Sequence, residues 1–104
     1  MATYANETEA AADGFRVIHE PERHRFALYG PEKQLFGEAH YSLFSDDVID
    51  FDHTLVVPEL RGTGLSGILA QRALTDDIIG ERKITASCSY IQVYLRRHPE
   101  LLAR

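Results

Sequence analysis

Between Val57 and Gly67 the chain reads Val-Pro-Glu-Leu-Arg-Gly-Thr-Gly-Leu-Ser-Gly, and the spacing of its apolar residues changes across that stretch. Before it, apolar and polar residues alternate; after it, Leu65, Ile68, Leu69, Ala73 and Leu74 recur at helical spacing, with Gly80 as a stop. A strand that passes through a glycine turn into a helix gathers free backbone N–H groups and the positive end of the helix dipole at one point, which favours an anion. Glycines at 62 and 64 remove the side chains that would hold a phosphate away from the backbone.

Charge placement points the same way. Acidic side chains stabilise a helix's first turn by ~0.3–1 kcal/mol each. None occurs from Leu60 through Thr75, although the chain carries 16 Asp+Glu against 11 Lys+Arg. Asp76 and Asp77 fall instead near the C-terminal end, where the dipole disfavours them, and Arg61 stands just ahead of the glycines. A ligand that brings its own negative charge accounts for both features. The competing reading is a tight turn before an ordinary core helix.

The rest of the chain reads as short elements. Phe15 and Val17 alternate with polar residues before Glu20-Pro21-Glu22; strands are predicted over 25–29, 35–44 and 48–57. In the last of these, Ile49, Phe51, His53, Leu55 and Val57 are expected on one face, with Asp50, Asp52 and Thr54 on the other. Short connections favour an antiparallel meander. Ile84, Ala86 and Cys88 alternate across a further strand, parallel to the fourth by a right-handed crossover. Ile91, Tyr94, Leu95 and His98 then repeat at helical spacing up to Pro99.

Two phosphate-binding loops are excluded. There is no G-x-x-x-x-G-K-[ST]. Residues 62–67 match G-x-G-x-x-G, but too little chain follows for the parallel strands of a dinucleotide fold, and Glu81 precedes a strand rather than ending one.

Four antiparallel strands, then strand, R-G-x-G, helix, strand and helix, resemble the GNAT acetyltransferases, which bind acetyl-coenzyme A. The similarity is to the very short, single-domain branch. It is carried by His53-Thr54, Val56, Pro58-Glu59-Leu60-Arg61-Gly62-Thr63-Gly64, Cys88-Ser89-Tyr90 and Arg97-His98-Pro99. The resemblance implies a mixed α+β fold of about five strands and two helices, in the order β-β-β-β-α-β-α. It implies that Arg61, Gly62, Thr63, Gly64, Leu65 and Ser66 hold the pyrophosphate, with the backbone near Val56 and Val57 pairing with the pantetheine arm. An N–H there would polarise the thioester carbonyl.

Tyr94 falls where such enzymes often keep a tyrosine as general acid for the departing thiolate; its apolar stripe equally suits a core aromatic. Cys88 precedes a helix start, which suits a thiolate nucleophile, or it is a small buried hydrophobe. His53 could take a proton through water, or be a core histidine among Phe51 and Leu55. The chain departs from the pattern at Glu59, where the family has Gln or Arg, and at Leu55, where the short branch often has glutamate.

Length and composition bound the remainder. The chain has 104 residues, 44% hydrophobic and 26% charged, with a formal net charge of −5. That describes one globular domain and opposes a general nucleic-acid binder. Residues 1–13, poor in large apolar side chains, are expected to form a mobile tail ahead of a single domain over 14–104. One cysteine excludes a disulfide framework, and the histidine spacings imply no metal. With no membrane span or secretory signal expected, the reading is a cytoplasmic acyltransferase, monomer or weak dimer, moving acetyl from acetyl-coenzyme A to a primary amine by direct attack. The alternative is a non-catalytic acyl-coenzyme A binding or interaction module.

Overall fold

The computed structural model of the protein describes residues 3–102. Five strands form one sheet in chain order: β1 (Arg16–Glu20), β2 (Arg25–Tyr29), β3 (Leu35–Ser45), β4 (Val48–Val56) and β5 (Lys83–Ala86). β1 to β4 pair antiparallel and β5 joins β4 in parallel, as the short connections and the helical crossover predict. The helices α2 (Leu65–Thr75) and α3 (Ser89–Arg97) follow β4 and β5 respectively. Ile68, Leu69, Ile91 and Leu95 pack with Phe26, Ala39, Tyr41, Ile49 and Phe51 in one core, so both helices cover the same sheet face.

The order differs from the expected two-helix pattern by one element. A further helix, α1 (Glu7–Ala12), lies inside the segment read as a tail. The Asn6 side chain accepts from the Glu9 N–H at 2.9 Å, while Glu9 reaches back to the Ala5 N–H at 3.0 Å, satisfying donors at both sides of the helix start. Ala10 is buried in the common core, and Tyr4 packs on Phe15. The Tyr4 N–H also donates to the Thr63 carbonyl at 2.8 Å, which brings the segment against the glycine loop.

The strict alternation expected along β4 is broken. His40 pairs with His53 but Tyr41 pairs with Phe51, so Asp52 is an extra residue on β4, a β-bulge. A one-residue slip exchanges the faces beyond it. Ile49 and Phe51 are fully buried under the helices, whereas His53 is exposed and Leu55 is 53% exposed on the opposite face. His53 is therefore not a core histidine. That opposite face carries no helix among the described residues: Ile18 and Leu55 are open, and Ala27, although buried, stands outside the common core.

Candidate functional site

β4 and β5 stay together only as far as Phe51 and Ala86. Buried Asp50 fastens the last paired stretch, accepting from Thr85 Oγ1 at 2.6 Å and Ser87 Oγ at 2.8 Å. The Phe51 carbonyl then takes the N–H groups of both Ser87 and Cys88, at 3.0 and 3.1 Å, as the chain turns away into α3. From Asp52 to Val56, the edge of β4 facing β5 has no strand partner among the described residues. A backbone edge left open in this way can accept another extended group.

The two residues expected to line that edge behave differently. The Val57 N–H donates to the Phe36 carbonyl at 2.9 Å, and its own carbonyl accepts from Leu60 at 3.0 Å. Val57 is thus engaged within the protein. Successive N–H groups of a strand point to opposite edges, so the Val56 N–H faces the splay.

The loop that follows is shaped by its own bonds. Thr63 is buried, its hydroxyl donating to the Leu60 carbonyl at 2.6 Å and accepting from the Leu65 N–H at 3.3 Å. Leu65 is wholly within the core. Both residues, expected as phosphate contacts, hold the turn through these bonds. Gly62 and Gly64 have φ of +79° and +87°, a left-handed backbone that other L-residues adopt only at a cost of roughly 1–2 kcal/mol.

The N–H groups of Gly62, Gly64, Ser66 and Gly67 have no acceptor among the described residues. No side chain caps the start of α2, and no acid lies in its first turn. Arg61 is exposed and forms no ion pair among the described residues. A Cβ on Gly62 or Gly67 would meet nothing within 4 Å. Four unengaged donors, a free cation and open space fit a diphosphate. Gly67, which the position-by-position resemblance leaves out, belongs to this group because the space above it is empty.

A cleft of about 430 Å³ opens beside the loop, with Asn6, Gly64, Gly67, Gln71, Tyr94 and His98 in its walls. Tyr94 Oη donates to Gln71 Oε1 at 2.8 Å, and its ring stacks on His98 with centroids 4.4 Å apart. Burial raises its phenol above the ordinary value near 10, with Tyr90 and Glu100 adding to the effect. Tyr94 therefore touches the core and the cleft at once. Cys88 is the N-cap residue of α3, half-buried against the core at the closed end of the splay.

On the helix-free face, the bulge turns Asp52 towards β3. Asp52 Oδ2 accepts from Ser42 Oγ at 2.6 Å, and Oδ1 lies 2.9 Å from His40 Nδ1. Burial raises its pKa, but the bonds from Ser42 and His40 outweigh burial and hold it below the usual carboxylate value. A depressed folded pKa means stability that is present above the unfolded value near ~3.9 and lost as pH falls through the folded one. Against Asp52→Asn, the wild type should be more stable near neutrality, and the gap should narrow below about pH 4. Urea unfolding of both proteins at a series of pH values measures this. A gap constant with pH would contradict it.

A mixed sheet that parts between its fourth and fifth strands, beside a helix starting on bare amides, is the architecture of GNAT-type acyltransferases. The chain belongs to the GCN5-related N-acetyl-transferase family, whose profile matches residues 25–104. It is 29% identical over 84 residues to mouse (Mus musculus) Protein NATD1, covering 81% of this chain and 76% of that one. In fold it is similar to the solution structure of a GCN5-like N-acetyltransferase candidate from Staphylococcus aureus. That match has a TM-score of 0.64 at 24% identity and covers 83% of this chain and 82% of the other. No helix among the described residues is long and apolar enough to cross a membrane.

Proposed function

We propose that this chain transfers an acetyl group from acetyl-coenzyme A to a primary amine by direct attack. The observation that carries the reading is the set of unengaged amides at Gly62, Gly64, Ser66 and Gly67, beside Arg61 and next to an unpaired strand edge. In this reading the amides and Arg61 hold the diphosphate, while Thr63 and Leu65 fix the loop beneath it. The open edge of β4 takes the pantetheine arm. Acetyl-coenzyme A supplies an activated thioester, and an N–H of that edge stabilises negative charge on its oxygen. Tyr94, in the wall of the same cleft, supplies the proton for the departing sulfur. His53 lies exposed on the face from which the amine approaches, and Cys88 has no covalent step.

Titration with coenzyme A should move the amide resonances of Gly62, Gly64, Ser66 and Gly67. Label from isotopic acetyl-coenzyme A should then appear on an amine acceptor. Unmoved loop resonances would remove the reading. Binding without transfer to any amine would leave an acyl-coenzyme A binding module.

A further inference from the structure

We propose that the acceptor arrives as a cationic alkylamine on the helix-free face of the sheet, and that His40, oriented by Asp52, takes the proton from its ammonium group. The proposal rests on the acetyl-transfer reading above. Its support is a chain of hydrogen bonds that the bulge creates: Ser42 Oγ to Asp52 Oδ2 at 2.6 Å, and His40 Nδ1 to Asp52 Oδ1 at 2.9 Å. An ionised carboxylate only accepts, so His40 donates from Nδ1 and keeps the Nε2 lone pair for an incoming proton. The His40 side chain is 37% exposed, enough to meet a solute. Asp52 is a positioning residue, as the carboxylate is in other His-carboxylate pairs.

Position matters as much as chemistry. Asp52 comes one residue after Phe51, the last residue of β4 to pair with β5, so the pair lies level with the closed end of the splay, one strand in from its edge. It does so on the face opposite to α2 and α3, with exposed His53 as the cross-strand neighbour of His40. The other cross-strand neighbour, Arg25, is held by Glu20 at 2.6 Å. Among the described residues, buried Asp50 accepts from the hydroxyls of Thr85 and Ser87 and forms no ion pair, and Glu38, on the same face, likewise forms none. Arg16, Arg25 and Lys83 share this face, so it is the carboxylates closest to the pair, rather than a net charge of the face, that attract an ammonium group.

The protons balance. The nitrogen gives up two per turnover as the C–N bond forms and the C–S bond breaks. One goes to His40 Nε2 and on to solvent, and the other reaches the departing sulfur by way of Tyr94.

The test uses labelled acetyl-coenzyme A with a polyamine and a lysine peptide. In His40→Gln, kcat should fall by roughly 10²–10⁴-fold while KM for acetyl-coenzyme A holds. In His40→Gly, added imidazole should restore part of the rate, which it would not do for a misfolded protein. Asp52→Asn should lower kcat with the same KM pattern. A kcat that survives His40→Gln within about threefold overturns this proposal alone. So does a loss that imidazole leaves untouched in His40→Gly. Wild-type protein that labels neither amine overturns the acetyl-transfer reading and this proposal together.

Discussion

A glutamate at position 67 should weaken coenzyme A binding by about 100-fold and leave the fold at least as stable as it was. Gly67 lies in the first turn of α2, where a Cβ meets nothing within 4 Å and φ is not in the left-handed range. Glycine inside a helix costs ~0.5–1 kcal/mol relative to alanine, and an acid in the first turn adds ~0.3–1 kcal/mol of stability. The variant should therefore melt no lower than the wild type. Its carboxylate, however, enters the space above the free amides. Two like charges about 4 Å apart near a surface repel by up to ~4 kcal/mol. Allowing for solvent, ~2–3 kcal/mol remains, and each ~1.4 kcal/mol is tenfold in affinity. Gly67→Ala separates charge from bulk: it should raise stability and change affinity little. Gly64 is unsuited to such a test. Its φ is +87°, and an added Cβ would stand 2.5 Å from the Tyr4 carbonyl oxygen, so any substitution disturbs the fold itself. Calorimetric titration and a thermal melt give both numbers. A Gly67→Glu protein that binds coenzyme A like the wild type would place the diphosphate elsewhere.

That such a test can be designed reflects how local the signals for the loop are. Glycines, a missing acid and a change of period are all features of consecutive residues, and the start of α2 lies where they put it. Features that depend on pairing between strands were hidden. Ile49, Phe51, His53 and Leu55 keep an unbroken alternation, and nothing in it marks Asp52 as surplus; only the register against β3 does. The His40–Asp52 pair was hidden for the same reason, because 12 residues and a turn separate its members. Helix α1 is a different case. Asn6 and Glu9, spaced as a capping box ahead of an alanine run, are a local signal for a helix start. Composition outweighed it, since the segment has few large apolar residues of its own. Its order comes from partners far along the chain, with Tyr4 bonded to Thr63 and Glu7 within 3.3 Å of Arg72.

The loop and the catalytic step separate cleanly at Tyr94. Tyr94→Phe should lower kcat by roughly 10²–10⁴-fold, the usual contribution of a positioned acid. Coenzyme A affinity should hardly change, because in the proposed reaction the phenol proton acts only as sulfur leaves. The structural cost is limited to the hydrogen bond from Oη to Gln71 Oε1, worth about 0.5–1.5 kcal/mol, since the ring still stacks on His98. A purely structural tyrosine would show that stability loss and no comparable fall in kcat. The pH profile provides an independent check. Burial raises the phenol's pKa, which favours the protonated form, so the acid stays loaded at every pH below its ordinary value near ~10. Any decline in kcat caused by loss of this proton must lie on the alkaline side of that value, and Tyr94→Phe should abolish it. The hydrogen bond to Gln71 adds one requirement to the proposed step. The proton points at Gln71, so the side chain must exchange that partner for the sulfur during turnover. Gln71→Ala removes the competing acceptor and should leave kcat intact or raise it. If Gln71→Ala and Tyr94→Phe instead lower kcat equally, the pair serves to hold α2 against α3 and the proton for the thiolate comes from solvent.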